Sequence, residues 1–319
     1  MTLWILIAVT VIGTAYSFTQ PRTLDGGWRT AWWFLLPSLI GFLAFFLIPM
    51  ARGIYLGFTD WNALSNSGEW IGGENYSKLV SDAQFWNAMK VTFWYVVWNI
   101  GTQTILAVLI AVMMDRLTKS GTVRSLILLP WLIPNLVAGL LFLWLLDPNL
   151  GLVNDILGWF GLGPYRFLTS TSGVIPSLAA MNTWKFMGYT ALLIFAGLQT
   201  IPKNLYEAAA LDGASEWQMM RRITIPLMRP VLALVMVVTV VGSFQVFDTA
   251  LVAGGGIAAS GLGGPVNASK VIYVYIYQNA FVFFDQGYAS ALASVLLVFL
   301  MVVTAIQLRL FRANESDLA

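Results

Sequence analysis

Apolar stretches of membrane-crossing length recur along the chain, at residues 31–51, 91–114, 125–146, 174–200, 231–253 and 287–308. A helix needs about 20 predominantly apolar residues to cross a hydrocarbon layer. Each run therefore predicts one span, and the six together predict an all-α fold, a polytopic membrane helical bundle. Residues 3–18 form a seventh, shorter apolar run without charges. No Lys or Arg precedes it as a secretory signal requires, which favours an extra N-terminal transmembrane helix over a cleaved segment. Composition agrees, with 58% hydrophobic and 10% charged residues against about 45–50% and about 25% in soluble domains. The expected organisation is an extra helix and cytoplasmic connector over 1–30 and one membrane domain over 31–319, with no internal repeat or linker.

The chain has neither cysteine nor histidine. That removes the thiolate and the commonest general base and metal ligand, so hydrolytic or metal-dependent catalysis and a bound cofactor are not expected. A net charge of +2 without a basic run gives no basis for nucleic-acid binding. Placement of the charges is more informative. Arg22, Arg29, Arg116, Lys119, Arg124, Lys203, Arg221, Arg222, Arg229, Arg309 and Arg312 fall on one face of the predicted bundle, against Arg52, Lys78, Lys90, Arg166 and Lys270 on the other. Lys and Arg accumulate in cytoplasmic loops, so the segment 203–230 and the C-terminus are expected in the cytoplasm.

Segment 203–230 is the only long charged stretch caught between two strongly apolar ones. Pro202 suits the start of a helix, and the run from Leu205 to Leu211 is rich in helix formers. Asp212-Gly213 breaks it, and Ser215 with Gln218 has capping-box spacing for a second helix that Pro226 and Pro230 are expected to end. The spacing predicts a helical hairpin at a membrane surface. Glu207-Ala208-Ala209, Asp212-Gly213-Ala214, Ile223 and Pro226 resemble, without a gap, the EAA loop of permease subunits in binding-protein-dependent ABC importers: E-A-A, three residues, G, nine residues, I-x-x-P. The alternative is an ordinary amphipathic connector with a helix-stop glycine.

That resemblance implies the type I ABC importer permease fold in a bacterial or archaeal inner or plasma membrane. It also implies that the hairpin over 202–230 sits in a cleft of a cytoplasmic ATPase subunit. The implied partners are two ATPase subunits, which hold ATP and magnesium, an external solute-binding protein, and a second permease. The C-terminal RLFRANESDLA fits the larger of the two permease types, so a heterodimer is preferred. Further phrases resemble the sugar branch of the family, of maltose and glycerol-3-phosphate permease type: residues 37–61, WIGGENY at 70–76, FWNAMKVT at 85–92, Tyr277, Ala280, Phe281, and GYASA at 287–291. The glycine-rich stretch from Gly254 lacks the G-x-x-x-x-G-K-[ST] of a phosphate-binding loop, so the chain has no recognisable ATP site. It is expected to be an outer loop, longer between Gly256 and Pro265 than in that branch.

Polar groups inside a bilayer are costly and face a cavity or another helix. Asn99 and Gln103 share one helix face; Asn182, Lys185 and Tyr189 form a stripe on another run; Gln245 and Asp248 lie three apart on the next. With the aromatic faces of Trp184, Phe186, Tyr189 and Phe244, they offer the few polar groups on an apolar wall that a sugar site needs. The resemblance gives solute contact to Asn182, Phe186, Tyr189 and Gln245. Lys185 stands where that branch has an apolar residue, leaving a sugar with an anionic group open. Alternatively, Asn182 and Gln245 bond neighbouring helices and Lys185 snorkels outward. Two rival functions stand beside an importer permease. An ion-coupled secondary transporter would have only Asp248 as an intramembrane carboxylate, and a polytopic glycosyl transferase would draw on Asp60, Glu69 or Glu74.

Overall fold

A computed structural model describes residues 27–117, 120–255 and 263–311. The helix expected over 3–18, most of the glycine-rich loop and the C-terminal eight residues lie outside the described residues. Among the described residues the chain is helical, and its only β pairing is a few isolated bridges, such as Thr59 with Trp70 and Asn62 with Asp285. In chain order the helices are α1 (Gly27–Phe42), α2 (Ile48–Leu56), α3 (Glu74–Ser81), α4 (Ala83–Leu117), α5 (Gly121–Leu132), α6 (Asn135–Leu145) and α7 (Leu152–Trp159). They continue as α8 (Val174–Leu198), α9 (Lys203–Leu211), α10 (Glu216–Met219), α11 (Arg229–Phe244), α12 (Asp248–Ala253), α13 (Ile272–Tyr277) and α14 (Gln286–Phe311).

Among the described residues four stretches are long and apolar enough to cross a membrane: Phe34–Leu56, Ala83–Leu117, Arg229–Ala253 and Gln286–Leu310. Gly121–Leu132 and Asn135–Leu145 make a fifth if they count as one span bent by 89°. The structure thus meets the expectation of six spans in part. α8 is long enough, at 25 residues, but Asn182, Lys185, Tyr189 and their polar neighbours take it out of the apolar class.

Two of the expected spans are not continuous. The run over 125–146 turns sharply because Pro134 has no N–H and forces the residue before it out of the helical region; Ile133 sits at φ −71° and ψ 131°. The run over 231–253 is interrupted between α11 and α12 at Gln245, Val246 and Phe247, where Phe247 adopts φ −136° and ψ −66°. α4 departs in the other direction. Its 35 residues span about 52 Å at about 1.5 Å each, well beyond a hydrocarbon core of about 30 Å, so it projects from the bilayer.

α8 is the central helix, and α4 lies along most of its length. Small buried residues, Ala107 and Ala111 on α4 and Ala191 on α8, let the backbones approach, the packing mode available where lipid is as apolar as the side chains. The approach of α5 is closer still: a Cβ at Gly188 would stand 2.0 Å from the Ile127 carbonyl oxygen. Two buried apolar clusters result. One groups Tyr95, Leu178, Ile272, Tyr288 and Leu292, and the other groups Met114, Ile194, Met228 and Val235.

Outside the spans, the segment from Thr59 to Ser81 is strapped down by Asn75, whose Nδ2 donates to the carbonyls of Gly57 at 3.1 Å and Thr59 at 2.8 Å. Trp70 and Trp86 are exposed there, the placement expected of membrane-boundary tryptophans. Asp82, just before α4, accepts hydrogen bonds from the hydroxyls of Tyr275 and Tyr288. Thr92 Oγ1 accepts the Ile272 N–H at 2.8 Å. These bonds tie the N-terminal end of α4 to α13 and α14.

Candidate functional site: a capped hairpin beneath an intramembrane cavity

The hairpin forms where the sequence places it. α9 closes with both bonds of a Schellman motif, Ala214 N–H to the Ala209 carbonyl at 2.9 Å and Gly213 N–H to the Ala210 carbonyl at 3.1 Å. That geometry requires a left-handed residue, and Gly213 supplies it at φ +77°. Both halves of the capping box are made: Gln218 N–H donates to Ser215 Oγ at 3.3 Å, and Ser215 N–H to Gln218 Oε1 at 2.7 Å.

The exit differs from expectation. α10 is only four residues long and passes into a wide π-helical turn, Met220–Thr224, then Ile225–Leu227. Pro226 and Pro230 occupy first-turn positions of the helices that follow, rather than ending the one before. A proline is tolerated there because its N–H would have had no partner.

Glu207, Ala208, Asp212 and Gly213 are exposed, while Ala209, Ala214, Ile223 and Pro226 are half-buried. Two residues not singled out from sequence share this surface: Leu211 is 90% and Trp217 70% exposed. Leu211 ends α9 and Trp217 lies in α10, on either side of the Gly213 turn. Behind the hairpin, Arg116 at the end of α4 pairs with Glu216, Gln199 donates to Asp115, and Tyr206 and Thr224 share a hydroxyl bond of 2.8 Å. The hairpin is thereby linked to α4 as well as to α8 and α11.

Between the two apolar clusters, α4, α8 and α11 enclose a cavity of about 140 Å³. Asn99 and Gln103 line it from α4, Asn182, Phe186, Tyr189 and Thr190 from α8, and Thr239, Gly242 and Ser243 from α11. A polar ladder crosses the wall. Asn99 Nδ2 donates to Ser243 Oγ at 2.8 Å and Gln103 Oε1 at 3.2 Å, and Gln103 Nε2 donates to Thr190 Oγ1 at 2.8 Å. Asn182 Nδ2 reaches Thr249 Oγ1 at 3.1 Å. Tyr189 stacks on Trp131, ring centroids 4.9 Å apart and planes 10° from parallel.

The structure brings Asn99, Gln103, Asn182, Phe186 and Tyr189 together and leaves the other candidates off this wall. Lys185 is buried, and its ammonium donates to the Ile133 carbonyl at the bend between α5 and α6. Asp248 accepts from Asn135 Nδ2 at 3.1 Å, and Gln245 is exposed in the gap between α11 and α12. Trp184 and Phe244 pack edge-to-face on Phe142 and Phe299. Sequence reasoning missed Tyr95, Thr190, Thr239 and Ser243. The i, i+4 spacing of Thr239 and Ser243 was the available signal, hidden because Ser and Thr are ordinary in membrane helices.

A helical bundle with broken spans, a capped hairpin and an intramembrane polar cavity defines a membrane transport subunit, and comparison places the chain within that class. Residues 103–315 match the family model of the binding-protein-dependent transport system inner membrane component, and the chain belongs to that family. It is 32% identical to the sulfoquinovosyl glycerol transport system permease protein SmoG of Agrobacterium fabrum (92% of this chain, 94% of that one). It is 28% identical to the trehalose/maltose transport system permease protein MalF of Thermococcus litoralis (88% and 93%). Among solved structures it is similar to a chain of a bacterial ABC transporter involved in the import of the acidic polysaccharide alginate, with a TM-score of 0.75, 28% identity, and 88% and 93% of the two chains covered. A second structure, of a bacterial alginate ABC transporter in complex with alginate pentasaccharide-bound periplasmic protein, gives a TM-score of 0.74 at 28% identity, covering 88% and 92%.

Proposed function

We propose that this chain is the non-catalytic translocation subunit of an ATP-driven importer, carrying a sugar or oligosaccharide delivered by an external solute-binding protein. The observation that carries the proposal is continuity: the two ends of the hairpin run into α8 and α11, and those helices wall the cavity. Family membership supports an importer, and relatives that carry sulfoquinovosyl glycerol, trehalose or maltose, and alginate support a saccharide cargo. The periplasmic protein seated on the alginate importer supports an external receptor.

In this reading the hairpin and the C-terminus face the cytoplasm, a second and distinct permease completes the pore, and two ATPase subunits each hold one hairpin. ATP and magnesium act in those subunits. Nucleotide-driven closure moves the hairpin; the helices follow, and the cavity turns outward. Energy is transmitted only through the difference in binding between the inward and outward states.

Purification of the tagged chain from native membranes, with a photocrosslinker at Glu207 or Leu211, tests this directly. Crosslinks to a nucleotide-hydrolysing subunit are expected. Solute uptake that persists after complete ATP depletion and collapses with the ion gradient would transfer the chain to the ion-coupled class.

A further inference from the structure

Four arginines gather where the bundle leaves the bilayer on the side of the hairpin. Arg229 opens the apolar stretch Arg229–Ala253, and Arg309 stands at the close of Gln286–Leu310. α14 begins beside the N-terminal end of α4, where Tyr288 donates to Asp82 at 2.6 Å, whereas the C-terminal end of α4 meets the hairpin through Arg116 and Glu216. α14 therefore ends on the side where α11 begins. The two helices pack together, with Phe244 edge-to-face on Phe299. Counted from that contact, Arg229 lies about 22 Å and Arg309 about 15 Å along their helices. Their depths differ by about 7 Å, a gap two arginine side chains can bridge. Arg221 and Arg222 stand just before, on the wide turn Met220–Thr224.

All four are exposed, and none has an ion-pair or hydrogen-bond partner among the described residues. No carboxylate is near in sequence: Asp and Glu are absent between Glu216 and Asp248 and throughout α14. Apolar side chains interleave with the arginines, Ile225 at 44% and Leu310 at 76% exposure. Charge beside apolar surface at the end of a membrane helix is the chemistry of the headgroup layer, where each monolayer is about 5–8 Å thick outside its hydrocarbon.

We propose that Arg229 and Arg309, with Arg221 and Arg222 beside them, hold the phosphate of an anionic phospholipid in the leaflet next to the hairpin. Guanidinium groups match phosphate oxygens with two parallel N–H donors, and basic pockets between helix ends take anionic head groups. A zwitterionic lipid brings its own ammonium into a site of four like charges, so the selection is for net negative charge. Ile225 and Leu310 lie against the first methylenes of the acyl chains. The proposal needs only the membrane placement of α11 and α14, and stands apart from the importer reading.

The tagged chain, purified with its co-purifying subunits and stripped of lipid in a neutral detergent, is titrated with phosphatidylglycerol, phosphatidylcholine and inorganic phosphate, and bound molecules are counted by native mass spectrometry. Phosphatidylglycerol is expected to bind at least about tenfold more tightly than phosphatidylcholine. Arg229→Gln and Arg309→Gln should each weaken it about fivefold, and the pair more than about tenfold, with phosphatidylcholine unchanged. Arg166→Gln, an exposed cation before the opposite end of α8, should have no effect. Raising salt from about 0.05 M to about 0.5 M should weaken phosphatidylglycerol alone, by screening. If the double variant does not fold, Arg→Lys at both positions, which keeps the charge and loses the fork, and the salt series on the wild type carry the test. Equal binding of the two lipids, or a double variant that holds phosphatidylglycerol as the wild type does, overturns the proposal. Displacement by inorganic phosphate at equal concentration makes this a soluble-anion site and overturns the lipid. Loss of a co-purifying subunit with lipid binding intact assigns the arginines to a protein contact instead.

Discussion

Lys185 stands one helical turn from both Asn182 and Tyr189, so sequence spacing groups the three, yet its long stem carries the ammonium to the bend between α5 and α6. There it donates to the Ile133 carbonyl, and Asp248 is near enough to offer an opposite charge. Lys185→Met is expected to lower the unfolding midpoint of the detergent-solubilised protein by the equivalent of about 1–3 kcal/mol, the cost of an unsatisfied buried polar group, with Asp248→Asn partly restoring it. Gly213 is constrained by conformation alone: nothing lies within 4 Å of a Cβ built there, but φ is +77°. Gly213→Val should therefore strain the turn by about 1 kcal/mol or more and separate ATP hydrolysis from uptake in reconstituted vesicles.

Asp82 gives a pH dependence of definite sign. Burial pushes its carboxyl up, but hydrogen bonds from Tyr275, Tyr288 and the N–H groups of Gln84 and Phe85 outweigh burial, so it lies below the ordinary 3.8. A depressed folded value stabilises above the unfolded value and is lost as pH falls through the folded one. Asp82→Asn should accordingly lower the melting midpoint at pH 7, and the gap from wild type should close below about pH 4.

At the scale of elements, the breaks in the helices matter more than the helices. Both lie where polar groups collect: the α5–α6 bend holds Asn135 and the Lys185 contact, and the gap before α12 holds Asp248. Unwound backbone inside a membrane is tolerated only where protein or a cavity satisfies it, and here Lys185 does so at the Ile133 carbonyl. The hairpin presents the complementary case, a rigidly capped element with two exposed apolar side chains at its tip. Leu211→Ser with Trp217→Ser should leave the melting midpoint within about 1 °C, since surface substitutions are usually near neutral. The same pair is expected to abolish co-purification of the ATPase; retained co-purification would remove the docking role.

For the molecule as a whole, a polar cavity lies between two apolar clusters. The hairpin is joined to α8 and α11 directly and to α4 through Arg116 and Glu216. Orientation can be read simply, because the chain has no native cysteine. A membrane-impermeant maleimide added to sealed right-side-out vesicles should label Leu64→Cys, at an outer tip that is 73% exposed, and spare Leu211→Cys until the membrane is opened. The reverse pattern would invert the topology.

Most of the fold was legible in the amino-acid order. Apolar runs fix where helices must lie, because a bilayer offers the backbone no other partner, and Asp212-Gly213 with Ser215 and Gln218 fixes the hairpin through bonds between residues three to five apart. The cavity was legible only in part, in Asn99, Gln103, Asn182, Phe186 and Tyr189. Local spacing says which side chains share a helix face but not which neighbouring helix that face meets. The withdrawal of Lys185 to a carbonyl 52 positions away in sequence and the bond from Asn99 to Ser243, 144 positions on, depend on contacts between distant segments. Packing decided those, because whether a polar atom is spent or spare is a property of its neighbours in space.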